Sequence, residues 1–261
     1  MRIRLRFAKL GKVRFTSHRD VARMWERALR RLELPVAYTE GFSPRPKLSF
    51  GLALSTGHES VAEYLDVELR EEPDLDALPG KLSAQLPVGI DVTAAAPLSP
   101  GTPSLQEDVS SCTWRIEALG LGPAEAEALV DTALAADELV ITRTRKGREV
   151  TDDLRPAVLA VHLVGPTPTG TELEAELAVH PRSVRPAELL LALRPGLEEG
   201  RVLRTAQWIW RDADRLEPVP ARPSGEDPDV RRNPDTAAER TAERTAERAA
   251  RPQPAGVASG G

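Results

Sequence analysis

Cysteine is almost missing from this chain, which has a single one, Cys112, among 261 residues. One cysteine excludes an intramolecular disulfide framework, and it excludes an iron–sulfur cluster or a zinc site built from several cysteines. The four histidines form neither an HxH nor an HxxxH pair. The sequence therefore predicts no metal site, and nothing in it indicates a cofactor.

Long apolar runs are also missing. No stretch approaches about 18 unbroken apolar residues, and the opening MRIRLRF alternates charged and apolar side chains where a signal peptide has a continuous apolar segment. We therefore expect a cytoplasmic protein without membrane contact. The P-loop, GxGxxG, GxSxG and HExxH motifs are absent too, so the familiar nucleotide-binding and hydrolase chemistries lose their main support.

Positive charge, by contrast, is concentrated at one end of the sequence. Residues 1–51 contain 13 Lys and Arg against 4 Asp and Glu, a net charge near +9, whereas the remaining residues sum to about −14. Such a local excess in an otherwise acidic chain predicts an anionic partner for the first segment.

The same segment opens a regular series of predicted elements. Residues 2–10 alternate apolar side chains with arginines, which is the period of a half-buried strand. Ser17 then heads an apolar-periodic run and predicts a helix from about His18 to Glu33. Further along, the patterns predict strands at 34–38 and 61–70, a weaker helix at 74–85 and a strand at 90–96.

A second series follows the Pro-rich segment APLSPGTPS. CTWRIEAL, ELVITRTR, AVLAVHLV, ELEAELAVH and RVLRTAQWIW predict strands, and PAEAEALVDTALAAD and PAELLLAL predict helices. The predicted fold class is α+β, with two tandem ferredoxin-like (split β-α-β) modules at 1–99 and 107–211. The second module is expected to carry an extra strand or a long hairpin.

The last segment, 212–261, differs in composition from everything before it. It is rich in Pro, Arg, Ala and Glu and repeats the unit TAER without an apolar face to bury. We predict a disordered tail there, and a helix induced by a partner is the alternative.

The predicted first helix has two faces. Apolar residues from Val21 to Leu32 recur at i, i+3, i+4 and i+7 and predict the core stripe. The arginines opposite can bind successive phosphates of a nucleic acid, or they can merely solvate the helix. Few acidic residues oppose them, and Arg2, Arg4 and Arg6 on the preceding strand are expected to add the same sign, which favours phosphate binding. The predicted phosphate-binding residues of this region are Arg14, Arg19, Arg23, Arg27 and Arg30.

The following loop, GFSPRPKLSFG, combines cations with aromatic rings. Arg45 and Lys47 can hold a strand of RNA while Phe42 and Phe50 stack on unpaired bases. The alternative is that both phenylalanines anchor a stiff connector in the core.

Two further features are weaker. His18 at the start of a helix, where the dipole favours a neutral imidazole, is a candidate general base, although a lone histidine is more often structural. A second basic cluster, containing Arg145, Lys146 and Arg148, either extends an anion-binding surface or forms a charged hairpin tip.

Two long motifs carry a resemblance to a known family. K-x-G-x-x-R-F-x-S-H-x-D-x-x-R over residues 9–23, followed by RALRR-x-x-LP-x-x-Y-x-x-GF-x-P-x-P-x-x-SFG-x-AL, resembles the radical SAM-associated (radical SAM-linked) family, a bacterial domain of unknown function. The similarity extends to about residue 211 through KGREVTDDLRP and SVRPAELLLAL.

That resemblance implies that any radical chemistry is carried out by a separate enzyme. In the family the domain is appended to a radical SAM enzyme or stands as a separate chain. This sequence lacks the CxxxCxxC cluster motif of such an enzyme, so it resembles the stand-alone form, and radical chemistry would belong to a partner. The stand-alone form tends to be encoded near an RNase E/G-type ribonuclease in high-GC bacteria, an association that agrees with a role related to RNA.

The leading hypothesis is an RNA-binding accessory protein, related to tRNA or rRNA, that works with a separate radical SAM enzyme or ribonuclease. The second is an RNA-processing or RNA-modifying enzyme with His18 as general base. The third is a protein-binding adaptor without nucleic-acid contact. The sequence favours the non-enzymatic hypotheses, because it contains no complete catalytic motif.

Overall fold

The computed structural model describes residues 1–145 and 147–220, and it has the predicted α+β class, with a large, mostly antiparallel sheet and few helices. None of the helices among these residues has the length and apolar content needed to cross a membrane. The strands are β1 (Arg2–Lys9), β2 (Leu48–Phe50), β3 (Glu59–Glu68), β4 (Ile90–Leu98), β5 (Val109–Leu119), β6 (Val140–Arg145), β7 (Arg148–Asp153), β8 (Val158–Pro166), β9 (Gly170–Ala178), β10 (Glu199–Arg211) and β11 (Asp214–Leu216). The helices are α1 (His18–Arg31), α2 (Leu78–Ser83), α3 (Leu105–Asp108), α4 (Pro123–Ala135) and α5 (Pro186–Leu193).

One sheet runs through both halves of the chain. Its order is β4-β1-β3-β10-β5-β9-β8, while β2 pairs with β3, β11 pairs with β10, and β6 and β7 form a separate hairpin. Within each half the neighbouring strands are antiparallel, and the halves join where β3 and β10 run parallel, with Leu203 opposite Glu59. The tandem ferredoxin-like arrangement and its boundaries stay a prediction.

Helix α1 begins and packs as its sequence predicts. The Ser17 side chain accepts a hydrogen bond from the backbone N–H of Asp20 at 3.2 Å, which satisfies one of the free donors of the first turn. On the core side, Trp25 is fully buried and meets the ring of Phe7 on β1 edge to face at a centroid distance of 5.0 Å. This packing fixes which face of α1 points outward.

The prediction of a strand at 34–38 is wrong. Val36 and Tyr38 make only isolated bridges, and the edge of β3 is paired instead by β2, which lies inside the segment predicted as a loop. Pro35 has no N–H to donate, and Glu33 adopts a left-handed φ of 51°, so the chain turns before it can run along the sheet.

The prediction that the arginines of β1 add to an exposed basic face is also wrong. Arg4 and Arg6 are buried, with Arg4 donating to both carboxylate oxygens of Asp66 at 2.7 and 3.0 Å and Arg6 donating to Glu217 at 2.8 Å. Strand β1 lies inside the sheet between β4 and β3 and is covered on both faces, so a charge there needs a buried partner. These two arginines add nothing to an exposed basic face.

The predicted tail begins too early. Residues 214–216 form β11, Val219 is buried, and Glu217 is the partner of Arg6. The rest of the predicted tail, from 221 onward, lies outside the described residues.

A truncation after Arg211 should therefore destabilise the protein, whereas a truncation after Pro220 should not. Removing Glu217 leaves Arg6 buried without its counter-charge, a change that costs about 3–5 kcal/mol. We expect the urea midpoint to fall clearly for the first truncation and to match the full chain for the second. Equal midpoints for both truncations would show that residues 212–220 do not support the fold.

Candidate functional site

The outward face of α1 presents a row of arginines. Arg19, Arg23, Arg27 and Arg30 are exposed, as is Arg31, which was not among the predicted phosphate-binding residues. Arg23 lies 3.4 Å from Asp20, and the described part of the chain places no carboxylate within 4.0 Å of the other four. We call these five arginines, together with Arg45 and Lys47, the basic surface.

A shallow groove crosses part of the basic surface. It has a volume of about 440 Å³ and runs between α1 and residues 84–87. Arg27 and Arg31 line it one helical turn apart, beside the apolar side chains of Met24, Leu86 and Pro87. The groove thus offers two cations above an apolar floor.

A projecting hairpin carries the rest of the basic surface. Tyr38 bridges to Pro46, and the N–H of Thr39 donates to the carbonyl of Arg45 at 2.8 Å, so residues 39–45 form the tip. Gly41 adopts a φ of +117° at the turn, a conformation that suits glycine. Arg45 is exposed on the return, and Lys47 pairs with Glu68 at 3.0 Å while remaining partly open to solvent.

The two phenylalanines of this segment lie in different environments. Phe42 is fully exposed at the tip, so the interpretation of Phe42 as a core anchor is wrong. Phe50 is half-buried and packs against the core under α1, so for this residue the core interpretation holds. Only Phe42 is free to stack on a base.

Arg14 has structural contacts instead of an open position. It is half-buried, its guanidinium lies 4.5 Å from the centre of the Phe15 ring, and it approaches Glu59 at 3.9 Å. Those contacts hold its guanidinium against its neighbours, so Arg14 is not counted in the basic surface.

The second basic cluster lies on a different hairpin. Arg148 is exposed at the start of β7, the backbone of Arg145 ends β6, and Lys146 lies outside the described residues. Within the β6–β7 hairpin Arg143 pairs with Asp152 at 2.8 Å, and the hairpin contacts α5 because Arg143 also lies 3.6 Å from Glu188. It belongs to the second half of the chain, whereas the basic surface lies on the first.

His18 borders a small cleft between the start of α1 and the chain after β2. Its ring meets the ring of Phe50 edge to face at 5.1 Å, and Lys9 and Glu63 lie in the same cleft. The described residues offer the His18 ring no hydrogen-bond partner. A general base needs such a group to orient it. The structure thus gives His18 a cleft in which a substrate group could lie, but no orienting partner among the described residues.

Buried charges lie in and beside this cleft: Lys9 and Glu63 line it, and Arg204 pairs with Glu63. Arg204 is fully buried and donates two hydrogen bonds to the same carboxylate oxygen of Glu63, at 3.0 and 2.6 Å. Lys9 donates to the backbone carbonyls of Arg14 and Thr16 at 3.3 and 3.2 Å. Burial lowers the pKa of Lys9 below its ordinary value, Glu63 opposes that shift, and Arg204 adds to it.

Metal and thiol chemistry find little support among the described residues. No group of three His, Cys, Asp or Glu side chains in residues 1–145 and 147–220 is arranged to hold a metal ion. Cys112 is buried, and burial raises the pKa of its thiol to about 11, so it is neither a thiolate nucleophile nor a ready ligand at neutral pH.

Comparison with known families gives one match. A family model described as an uncharacterized protein conserved in bacteria (DUF2344) matches residues 2–186, which include the whole basic surface and the cleft. A search of curated proteins found no significant match.

Proposed function

Since the chain belongs to the uncharacterized bacterial family DUF2344, its function must be inferred from its own residues, and we propose that it binds single-stranded segments of RNA. The observation that carries this proposal is the basic surface itself. Five exposed arginines stand on α1, four of them without a carboxylate within 4.0 Å among the described residues, and a projecting hairpin adds one fully exposed aromatic ring.

The cations supply affinity without sequence specificity. Each phosphate that an arginine neutralises releases condensed counterions, and this release drives binding. Arg19, Arg23, Arg27 and Arg30 lie three or four residues apart along one helix face, so they can follow a backbone. Since the helix is packed on the sheet through Trp25, the backbone positions of its arginines form a fixed row.

The aromatic ring indicates unpaired bases. A ring that projects into solvent can stack on a splayed base but cannot reach the stacked bases inside a duplex. Arg45 and Lys47 follow Phe42 on the return of the hairpin and can hold the strand beside the stacked base. Loops and ends of tRNA or rRNA offer such segments.

The family resemblance in the motifs of residues 9–54 supports a further part of the proposal. We propose that the chain presents RNA to a separate enzyme, a radical SAM enzyme or an RNase E/G-type ribonuclease, and that its two halves are ferredoxin-like modules. The strand order in each half, with β1 between β4 and β3 and β5 between β10 and β9, supports this module assignment.

Catalysis by His18 is the second candidate, because His18 shares a cleft with Lys9 and Glu63. Turnover of RNA by the purified chain that disappears in His18→Ala, while binding survives, would favour it. Binding without turnover favours the accessory role. Co-purification of a protein partner after nuclease treatment, without RNA affinity, would favour an adaptor.

Filter binding of a single-stranded oligonucleotide over a salt series tests the proposal. With about five phosphates contacted, affinity should fall about 100-fold between 50 and 200 mM salt. Phe42→Ala should weaken binding by about 10-fold because one base loses its stacking partner, whereas Phe42→Tyr should bind like the wild type. No measurable affinity at low salt would refute the proposal, and an unchanged Phe42→Ala would remove the stacking role.

A further inference from the structure

Lys9 is the most unusual charge in the described part of the chain. It is 5 % exposed, yet no carboxylate among the described residues lies within 4.0 Å of its Nζ. Lysine is rarely buried without an ion-pair partner, because burying a lone ammonium is costly. Its two hydrogen bonds to carbonyls leave one of its three donors unused.

The nearest carboxylate does not balance it. Glu63 is the counter-charge of Arg204, which takes one carboxylate oxygen with two hydrogen bonds. Lys9 and Glu63 line the cleft, and Arg204 pairs with Glu63 outside its lining, so two buried cations share one buried anion and leave an excess of positive charge. Its mouth lies at the start of α1, where the N–H groups of the first turn add further positive character.

The size of the cleft restricts what can enter. Its interior holds about 20 Å³, room for one or two oxygen atoms and too little for a base or a sugar ring. A ligand must therefore enter with a projecting oxyanion. A phosphate monoester presents three unesterified oxygens and close to two negative charges at neutral pH, whereas a phosphodiester inside a chain presents two such oxygens and one charge, so the monoester matches this cleft better.

We propose that this cleft is a binding site for a phosphate monoester group, in which Lys9 provides the buried charge and His18 closes the mouth. The phosphate belongs either to a small free compound or to the end of an RNA strand. The second source rests on the proposed function, since Arg19 continues directly from His18 onto the basic surface.

Thermal unfolding with inorganic phosphate tests the site without RNA. At a concentration ten times its Kd, phosphate should raise the Tm by about 4 °C relative to chloride at equal ionic strength. Lys9→Met should abolish the rise, while Lys12→Met, the matched change at an exposed lysine three residues further along the chain, should keep it. If Lys9→Met fails to fold, the imidazole NMR signals of His18 in the wild type provide the readout, and they should shift and saturate with phosphate.

Oligonucleotides with different ends identify the source. Tighter binding of a 5′- or 3′-phosphorylated oligonucleotide than of one with two hydroxyl ends, lost in Lys9→Met, assigns the cleft to a strand end. Equal affinity for all ends together with a phosphate-dependent Tm assigns it to a free phosphate compound. If phosphate changes neither the Tm of the wild type nor the NMR signals of its His18, the proposal is refuted. Loss of RNA binding with a preserved phosphate response would refute the proposed function alone.

Discussion

Replacing Arg27 and Arg30 together by glutamate should lower the affinity for single-stranded RNA about 100-fold at moderate salt. Each change removes a phosphate contact and adds a repulsive charge to the same helix face. Neither arginine has a carboxylate within 4.0 Å among the described residues, so the fold loses no ion pair. Filter binding across a salt series should also show a shallower dependence on salt.

The matched control is a charge reversal of the same size elsewhere. Arg148→Glu with Arg185→Glu changes two exposed arginines of the second half by the same total charge. We expect this control to bind nearly as well as the wild type. If the control loses as much affinity as the α1 variant, binding follows net charge and not a surface on α1.

Replacing Glu63 by glutamine should lower the free energy of unfolding by about 3–5 kcal/mol. Arg204 is fully buried, and Glu63 is its only ion-pair partner among the described residues, so the substitution leaves a buried guanidinium without its counter-charge. Urea unfolding followed by circular dichroism measures the loss.

Two comparisons separate this effect from ordinary surface charge. Glu68→Gln removes the partially exposed pair with Lys47 and should cost less than about 1 kcal/mol. The double variant Glu63→Met with Arg204→Met removes both charges and should recover much of the lost stability. A single Glu63→Gln variant as stable as the wild type would contradict the importance of this pair.

Local patterns predicted α1 well because local physics decides it. Ser17 caps the helix, and the apolar spacing that ends in Leu29 fixes its buried face, so the exposed arginines follow from the sequence. Most of the strands in the second half follow similarly from period-2 alternation and turn residues.

Long-range pairing explains the failures. The alternation in β1 cannot show that Asp66 and Glu217, 62 and 211 residues away in the sequence, cover the face that carries Arg4 and Arg6. The edge of β3 accepted residues 48–50 in place of 34–38, and this choice depends on the turn at Glu33 and on Pro35.

The cleft was not predictable for the same reason. Lys9 and His18 are close in sequence, but Glu63 and Arg204 come from distant strands. The sequence motif that contains Lys9 and His18 could be recognised, but the burial of Lys9 could not be predicted. The alternation in β1 predicts which side chains share a face of the strand, and it does not show what covers each face.

The most direct test of the central claim is photo-crosslinking of a single-stranded RNA to the wild-type protein, with the attached peptides identified by mass spectrometry. We expect crosslinks in the hairpin around Phe42 and along α1. Crosslinks confined to the β6–β7 hairpin, or none at low salt, would contradict it.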